Sequence, residues 1–172
     1  MKAIEFVFLD KQNADKHTEE LFEILHSNMS LIAPTGNSYE EDFKMWSDGI
    51  ISGLEKEQRQ IVLMYVGDSV SGYFQYCIKN DENTILMEEI QIKRAYQGSG
   101  LFSEFYKWLL KQLPNDILYV EAFANKKNLK SQAILTHLGL SCIGENRNGN
   151  SYHYKGSYSE LSDKYNSDKN HL

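Results

Sequence analysis

The chain has 172 residues, 41% of them hydrophobic, and a formal net charge of −6. This length suits one domain that buries roughly two-thirds of the surface of its unfolded chain. The acidic balance argues against general nucleic-acid binding, which needs a basic surface, and no run approaches the roughly 18 apolar residues of a membrane-spanning helix. The composition therefore predicts no nucleic acid and no membrane among its partners.

The first half of the chain predicts one strand, two helices and three further strands. Residues 3–9 are rich in strand formers and become charged too soon for a signal peptide. Apolar residues recur at helical spacing over 18–29, and Ser38 followed by Glu41 predicts a capping box that opens a second helix. An antiparallel meander joined by tight turns follows, with strands at 61–66, 70–78 and 84–92.

The second half predicts two helices and three strands, followed by a polar segment. Helices are predicted at 100–113 and 128–138, and strands at 117–123, 140–144 and 151–156. The order βααβββαβαββ predicts an α/β (α+β) fold with one mixed, mostly antiparallel sheet of about seven strands and helices on both faces. We therefore expect one domain over residues 1–156. Residues 157–172 show no periodicity and are expected to form a flexible tail.

The two cysteines, Cys77 and Cys142, each fall inside a predicted strand, and the chain has no CxxC pair. This pattern favours reduced, buried thiols in a cytoplasmic protein over a disulfide or a metal site. No metal ligands are therefore predicted.

The negative charge is concentrated in residues 19–60. This segment holds nine acidic and three basic residues, a net −6 that equals the charge of the whole chain. One interpretation is two solvated helix faces. The other is a negative rim that attracts a cationic substrate.

A glycine pair marks the change from the strand at 84–92 to the following helix, in the stretch Gln97-Gly98-Ser99-Gly100. The first amides of a helix have no partner within the helix, and glycines let an anion approach the backbone closely. The stretch lacks the third glycine of a dinucleotide fingerprint and the Gly-Lys-Ser/Thr of a P-loop. The alternative interpretation is that the glycines only form a tight turn.

The stretch EEIQIKRAYQGSGLF resembles the acyl-CoA signature Q/R-x-x-G-x-G/A of the GNAT superfamily of N-acetyltransferases. Gln97 takes the Gln/Arg position, five residues after the apolar-x-apolar strand end at Ile92. Gly100 takes the position of the central glycine. A second family motif, N-P-x-A/S-x-x-x-Y-x-x-x-G-F, is matched in part further along, from Asn128 through Ser131 to Gly139. The resemblance spans roughly residues 3 to 156.

The resemblance implies acetyl-CoA as co-substrate and direct attack of an amine on the thioester in a ternary complex. In this family the fourth and fifth strands splay apart, the exposed backbone holds the pantetheine arm, and the glycine turn holds the pyrophosphate. Asn128 is equally explained as a helix N-cap. The residues that the resemblance assigns to the cofactor are Ile90, Gln91, Ile92, Gln97, Gly98, Ser99, Gly100, Leu101, Phe102, Asn128 and Ser131.

An alkylammonium must lose a proton before it can attack, so the reaction needs a base. Family members that act on small amines carry an acid pair at the position of Glu88 and Glu89. We therefore expect Glu88 to act as the base and Glu89 to contact the substrate. The alternative interpretation is two acids on a solvated strand end.

Three positions depart from the family pattern. Phe102 occupies a Gly/Ala position, where its amide can still serve if the ring packs inward, and Leu140 is a tolerable core replacement. Leu135 stands where many members have a tyrosine that acts as general acid, and leucine cannot donate a proton. Tyr152 and Tyr154, on the last predicted strand, are the candidates for this missing acid.

The sequence is compatible with three functions. The leading one is a small-molecule N-acetyltransferase whose acceptor is a primary amine of a small, cationic molecule. The second is an acyl-CoA-binding module of the same fold with little or no turnover, which Leu135 and Phe102 motivate. The third is an unrelated phosphate-binding protein. The sequence leaves open the acceptor, the length of the acyl group and whether the chain forms a homodimer.

Overall fold

The computed structural model describes residues 3–56 and 59–166. Within these residues the strands are β1 (Ile4–Phe8), β2 (Gln60–Val66), β3 (Ser69–Lys79), β4 (Thr84–Ile92), β5 (Tyr119–Asn125), β6 (Ser141–Glu145) and β7 (Ser151–Ser157). The helices are α1 (Asp15–Met29), α2 (Tyr39–Glu55), α3 (Leu101–Leu109), α4 (Leu129–His137) and α5 (Tyr158–Asn166). The strands form one sheet in the order β1-β2-β3-β4-β5-β7-β6. The predicted mixed, mostly antiparallel sheet of about seven strands is confirmed.

Helix α2 begins at the capping box that the sequence predicts. The Ser38 backbone N–H donates to Glu41 Oε2 at 2.8 Å, and the Glu41 backbone N–H donates to Ser38 Oγ at 3.2 Å. Two of the amides at the helix start, which have no partner within the helix, are thereby satisfied. Local sequence alone therefore determines where this helix starts.

The chain forms two compact units, and the first contains the residues up to Cys77 together with Glu89–Gln97. Strand β2 pairs antiparallel with both β1 and β3, and α1 contacts α2. The helices and strands of this unit share one apolar core, made of Leu9, Ala14, Leu21, Ile24, Ile50, Leu54, Ile61, Leu63, Val70 and Tyr73, with Trp46 and Tyr65 packed against it.

The second unit contains Ile78–Glu88 and the chain from Gly98 onward. Here β4 pairs in parallel with β5, from Thr84 beside Tyr119 to Met87 beside Ala122, and the register ends there. Strand β7 pairs antiparallel with both β5 and β6. The largest fully buried side chains of this unit are Tyr106, Phe105, Ile85, Leu101, Leu109 and Leu138.

Secondary structure continues beyond residue 156, where the sequence predicts a tail without periodicity. Helix α5 buries Leu161, and the ring of Tyr165 stacks on Tyr106 at 5.5 Å between centroids. The helix forms because one leucine and two tyrosines find partners in the second unit, although the segment is too polar to show an apolar face by itself. The rest of the predicted tail, residues 167–172, lies outside the described residues.

The prediction of two buried thiols is wrong for Cys142. Neither Cys77 nor Cys142 forms a disulfide, and Cys77 is half-buried whereas Cys142 is exposed. All five residues of β6 are exposed, because this strand forms one edge of the sheet and pairs only with β7. Within the described residues, no helix is long and apolar enough to cross a membrane.

A buried carboxylate ties three strands together in the second unit. Glu121 on β5 is only 3% exposed, and its two oxygens lie 2.8 Å from Lys79 Nζ and 2.8 Å from Lys155 Nζ. Burial by itself would raise the pKa of this carboxyl, but the hydrogen bonds from Lys155 and Lys79 outweigh it and lower the pKa to about 2. The ionised form is therefore strongly favoured in the folded protein.

Replacing Glu121 by glutamine should lower the free energy of unfolding by about 2–3 kcal/mol at pH 7, since the charge is lost while both lysines remain. The pKa of Glu121 is lower in the folded than in the unfolded chain, so its stabilising effect is complete above about pH 5 and is lost as the pH falls toward 2. Urea unfolding at a series of pH values should show the difference between the two proteins shrinking over that range.

The matched control is Glu82→Gln, which removes an exposed carboxylate 3.7 Å from the same Lys79. Its effect should stay below about 0.5 kcal/mol at pH 7. Equal losses in the two variants would show that the charge of Glu121 contributes nothing special to stability.

Candidate active site

The glycine turn before α3 has the geometry of an open backbone cradle. Gly98 and Gly100 adopt left-handed conformations, with φ of 77° and 88°. Gly100 is the N-cap of α3, no side chain of the described residues caps the helix there, and a Cβ added at either glycine would meet nothing within 4 Å. Because residues with a Cβ rarely adopt this backbone, the turn requires glycine, and the space above it stays open.

The two residues after the turn anchor the helix by their side chains. Leu101 is fully buried, and the ring of Phe102 packs on Tyr106 with 4.6 Å between centroids. The departure from the family pattern at Phe102 is therefore accommodated inside the second unit.

Asn128 and Ser131 lie at the start of α4. The side-chain oxygen of Asn128 accepts a hydrogen bond of 3.0 Å from the Ser131 backbone N–H. The helix-capping role that the sequence left open is thus observed, and a role toward a cofactor stays a prediction. Leu135, further along α4, is buried.

A polar network holds the end of β4 in the first unit. The Asn28 side-chain amide donates to Gln91 Oε1 and to the Ile92 carbonyl, each at 3.0 Å. The Gln97 side chain donates to the same carbonyl at 2.9 Å. Gln91 is buried and Ile90 half-buried. Asn28 had no signal in the sequence, because its partners lie more than sixty residues away along the chain.

Of the two acids on β4, Glu89 has a distinctive environment. Its Oε1 accepts a hydrogen bond from the hydroxyl of Tyr73, which is completely buried. Burial raises the pKa of Glu89, and contributions from Tyr73, Trp46, Gln91 and Arg59 lower it by less. The indole Nε1 of Trp46 is buried and makes no hydrogen bond within the described residues. Glu89 is thus a carboxyl whose net pKa is higher than usual.

Glu88 is half-buried and precedes Glu89 in the same strand. Adjacent residues of a strand point to opposite faces, so Glu88 does not share the environment of Tyr73 and Trp46. The structure therefore distinguishes two acids that look alike in the sequence.

The sequence missed Tyr73 because it lies sixteen residues before Glu89 in a strand full of apolar residues. One signal was present, the glycine before it, since a glycine inside a strand often marks a close backbone approach. A Cβ at Gly72 would lie 2.5 Å from the carbonyl oxygen of Gln91. Strands β3 and β4 pass close together there, next to the Tyr73–Glu89 pair.

The two candidate acids on β7 differ in burial. Tyr154 is 6% exposed, and burial, followed by the nearby Cys142 and Tyr152, raises its pKa. Tyr154 therefore keeps its proton at neutral pH, as a general acid must. Tyr152 is half-buried, with Lys126 Nζ 5.2 Å from the centre of its ring.

A cleft of about 670 Å³ opens in the first unit, between α1, α2 and the loop that joins them. Its walls are mostly apolar, and they include Phe22, Leu25, His26, Met29, Ala33, Pro34, Met45 and Trp46. Trp46 also packs edge-on against Tyr73, with 6.1 Å between centroids, so one residue of the lining contacts the tyrosine that donates to Glu89.

Several of the acids in residues 19–60 have structural partners. Glu20 pairs with Lys93 at 2.9 Å, Asp48 pairs with Lys44 at 2.6 Å, and Glu41 belongs to the capping box. Glu57, another acid of this segment, lies outside the described residues. These contacts agree with solvated helix faces, and attraction of a cation stays a prediction. Among the residues that the structure covers, no group of three or more His, Cys, Asp or Glu could hold a metal ion.

The chain matches no sequence model of a protein family and no curated protein sequence. In structure it is similar to an acetyltransferase from Thermus thermophilus, with 17% identity and a TM-score of 0.72 over 91% of this chain and 99% of that one. It is also similar to the PaiA N-acetyltransferase from Thermoplasma acidophilum in complex with coenzyme A, with 15% identity and a TM-score of 0.65 over 91% and 99%.

A third similar structure is that of mutant forms of the spermidine/spermine N-acetyltransferase SpeG from Vibrio cholerae, with 11% identity and a TM-score of 0.65 over 94% of this chain and 97% of that one. At such identities the likeness shows the fold. The seven-stranded sheet, the element order and the glycine turn that opens α3 all agree with it. The chain has the fold of the GNAT N-acetyltransferases.

Proposed function

We propose that the protein is an N-acetyltransferase that moves an acetyl group from acetyl-CoA to a primary amine of a small, cationic molecule. The observation that carries this proposal is the start of α3, where Gly98 and Gly100 form an open backbone turn and no described side chain caps the helix. Such a helix start attracts phosphate through its free amides and its dipole. Structures of the same fold include complexes with coenzyme A and with acetyl-CoA.

The residues of this chain fit the cofactor. Backbone amides from Gly98 to Phe102 would hold the pyrophosphate, whereas the Gln97 N–H already donates to the Arg94 carbonyl at 3.3 Å. The Phe102 ring is turned onto Tyr106 instead of covering the turn. The backbone of Ile90–Ile92 would hold the pantetheine arm, and it lies beyond Met87, where the register with β5 ends. Asn128 and Ser131 would add contacts from the start of α4. When bound, acetyl-CoA supplies the thioester whose carbonyl carbon the amine attacks.

Glu89 is the better candidate for the base. A carboxylate with a raised pKa is a stronger proton acceptor than an exposed glutamate, and the pKa of Glu89 is raised by burial. Tyr73 holds the carboxylate in one orientation through its hydroxyl. We therefore assign the base to Glu89 and the substrate contact to Glu88, the reverse of the assignment that the sequence favoured.

Tyr154 is the better candidate for the acid that protonates the leaving thiolate. Its pKa is raised by burial, so the phenol stays protonated, and it is the more buried of the two β7 tyrosines. Tyr152 is the second choice. Leu135 fills the position of the family's tyrosine with an apolar side chain that is buried.

An acyl-CoA-binding protein with little or no turnover is the second candidate function. The buried Leu135 favours it, because the position that often carries the acid cannot donate a proton. Incubation with acetyl-CoA and a panel of amines, with released CoA detected, separates the two functions. Binding of acetyl-CoA without release of CoA for any amine would select the binding protein.

Replacing Gly100 by valine should abolish binding of coenzyme A, because the side chain would stand over the turn and valine strains a backbone with φ of 88°. Isothermal titration calorimetry measures the affinity, and circular dichroism checks the fold. Gly149→Val is the matched control, since Gly149 also has a left-handed φ, of 68°, but lies in the β6–β7 turn. If the folded Gly100→Val protein binds coenzyme A with unchanged affinity, the glycine turn does not bind the pyrophosphate.

Replacing Glu89 by glutamine should lower kcat at least about tenfold at neutral pH, because the amide cannot accept the proton. Activity should recover in part at high pH, where free amine is abundant, and the affinity for acetyl-CoA should not change. Glu88→Gln, the neighbouring acid of the same strand, should raise the KM for the amine more than it lowers kcat. If the two phenotypes are exchanged, Glu88 is the base, as the sequence predicted.

Replacing Tyr73 by phenylalanine should move the acidic limb of the kcat/KM profile to higher pH. The hydrogen bond from Tyr73 lowers the pKa of Glu89, so its loss raises that pKa further, and the base is then protonated at a higher pH. Tyr76→Phe, a buried tyrosine of the same strand, is the control and should leave the limb in place. A limb that stays or moves to lower pH in Tyr73→Phe would exclude Glu89 as the titrating base.

A further inference from the structure

The cleft between α1 and α2 is lined by side chains that favour one chemical class of acceptor amine. Its volume of about 670 Å³ falls within the roughly 300–1,000 Å³ of small-molecule sites. Phe22, Leu25, Met29, Met45 and Trp46 contribute apolar walls, and Met45 is 60% exposed although it lies in the lining. Methionine side chains adapt to apolar ligands of irregular shape, so this wall favours a ligand with a hydrophobic group.

An aromatic cluster supports one side of the cleft, where Phe22, His26 and Trp46 belong to the lining and pack on further rings behind it. The ring of Phe22 lies 5.1 Å from that of Tyr39, 5.4 Å from that of Phe43 and 5.6 Å from that of Trp46, in tilted or edge-on arrangements. The ring of His26 contacts Tyr39 edge-on at 4.9 Å. Aromatic rings prefer these arrangements with one another, so a further ring fits such a wall well.

The cleft is poorly equipped for a polycation. Among the described residues that line it, Asp42 is the one acid, and both of its oxygens already accept hydrogen bonds, from Thr35 Oγ1 and Asn37 Nδ2. These contacts tie the α1–α2 loop to α2. A polyamine carries several positive charges along its length, and the apolar walls would leave the others without partners.

One residue of the lining, Trp46, lies next to the hydrogen-bond partner of the proposed base. Trp46 belongs to the lining, its ring packs on Tyr73, and the Tyr73 hydroxyl donates a hydrogen bond to Glu89. Trp46 and Tyr73 therefore connect the cleft with the proposed base through one ring contact and one hydrogen bond. All of these residues belong to the first unit.

We infer that the acceptor is a primary amine that carries an aromatic or branched apolar group, and that this group occupies the cleft between α1 and α2. The inference rests on the proposed acetyltransferase function and adds the substrate class. The ammonium group loses a proton to Glu89, and the amine nitrogen then attacks the thioester carbonyl of acetyl-CoA. The nitrogen forms the amide bond and loses its second proton as the bond to sulfur breaks. The released thiolate takes up a proton to give CoA.

The test is a comparison of kcat/KM, by release of CoA, for phenethylamine and tryptamine against spermidine and spermine, with products identified by mass spectrometry. We expect the arylalkylamines to be favoured by at least about tenfold, from burial of the ring. Equal values or a preference for the polyamines would overturn the inference and leave the acetyltransferase function standing. Acetylation of neither class would overturn the inference, and the proposed function falls with it only if no other amine of the panel releases CoA.

The variant Met45→Gln tests whether the apolar group of the amine binds in the cleft, because glutamine keeps the length of the side chain and removes its apolar character. We expect kcat/KM for phenethylamine to fall at least about fivefold, while the KM for acetyl-CoA stays unchanged. Leu31→Gln is the matched control, since Leu31 is 89% exposed and lies outside the lining. No loss in Met45→Gln, or an equal loss in the control, would show that the apolar group binds elsewhere.

Discussion

The close approach of β3 and β4 at Gly72 is the constraint on which the proposed chemistry depends. A Cβ at this position would lie 2.5 Å from the Gln91 carbonyl oxygen and 3.2 Å from the Cα of Ile92, and the Lys93 N–H donates to the Ser71 carbonyl at 2.8 Å. The narrow spacing seats the next residue, Tyr73, against Glu89. Because the constraint lies in the backbone, side-chain packing alone could not replace it.

Two opposing effects act on the pKa of Glu89, as is typical of functional carboxyls. Burial favours the neutral acid, and the hydroxyl of Tyr73 and the charge of Arg59 favour the carboxylate. Glu121 shows the opposite balance in the second unit, where two lysines outweigh burial. The half-buried Glu89 is therefore suited to exchanging a proton, and the buried Glu121 to holding strands together.

Local signals in the sequence were enough for most of the fold. Strand β4 has the predicted bounds, the capping box opens α2, and the glycine turn opens α3, since each depends on neighbours along the chain. The Tyr73–Glu89 pair and the contacts of Asn28 were not predictable, because they depend on which strands and helices meet. Helix α5 was missed because its stability comes from packing, and Cys142 was misplaced because alternation does not reveal an edge strand.

The position of β7 between β5 and β6 has a consequence for folding kinetics. Strands β6 and β7 form a hairpin closed by the Asn146–Asn150 turn, so this pairing is local and can form early. The parallel pairing of β4 with β5 has to wait until the connection that carries α3 has closed. The parallel junction should therefore be a late step on the folding pathway, reached after the β6–β7 hairpin and the locally connected β2–β3–β4 strands have formed.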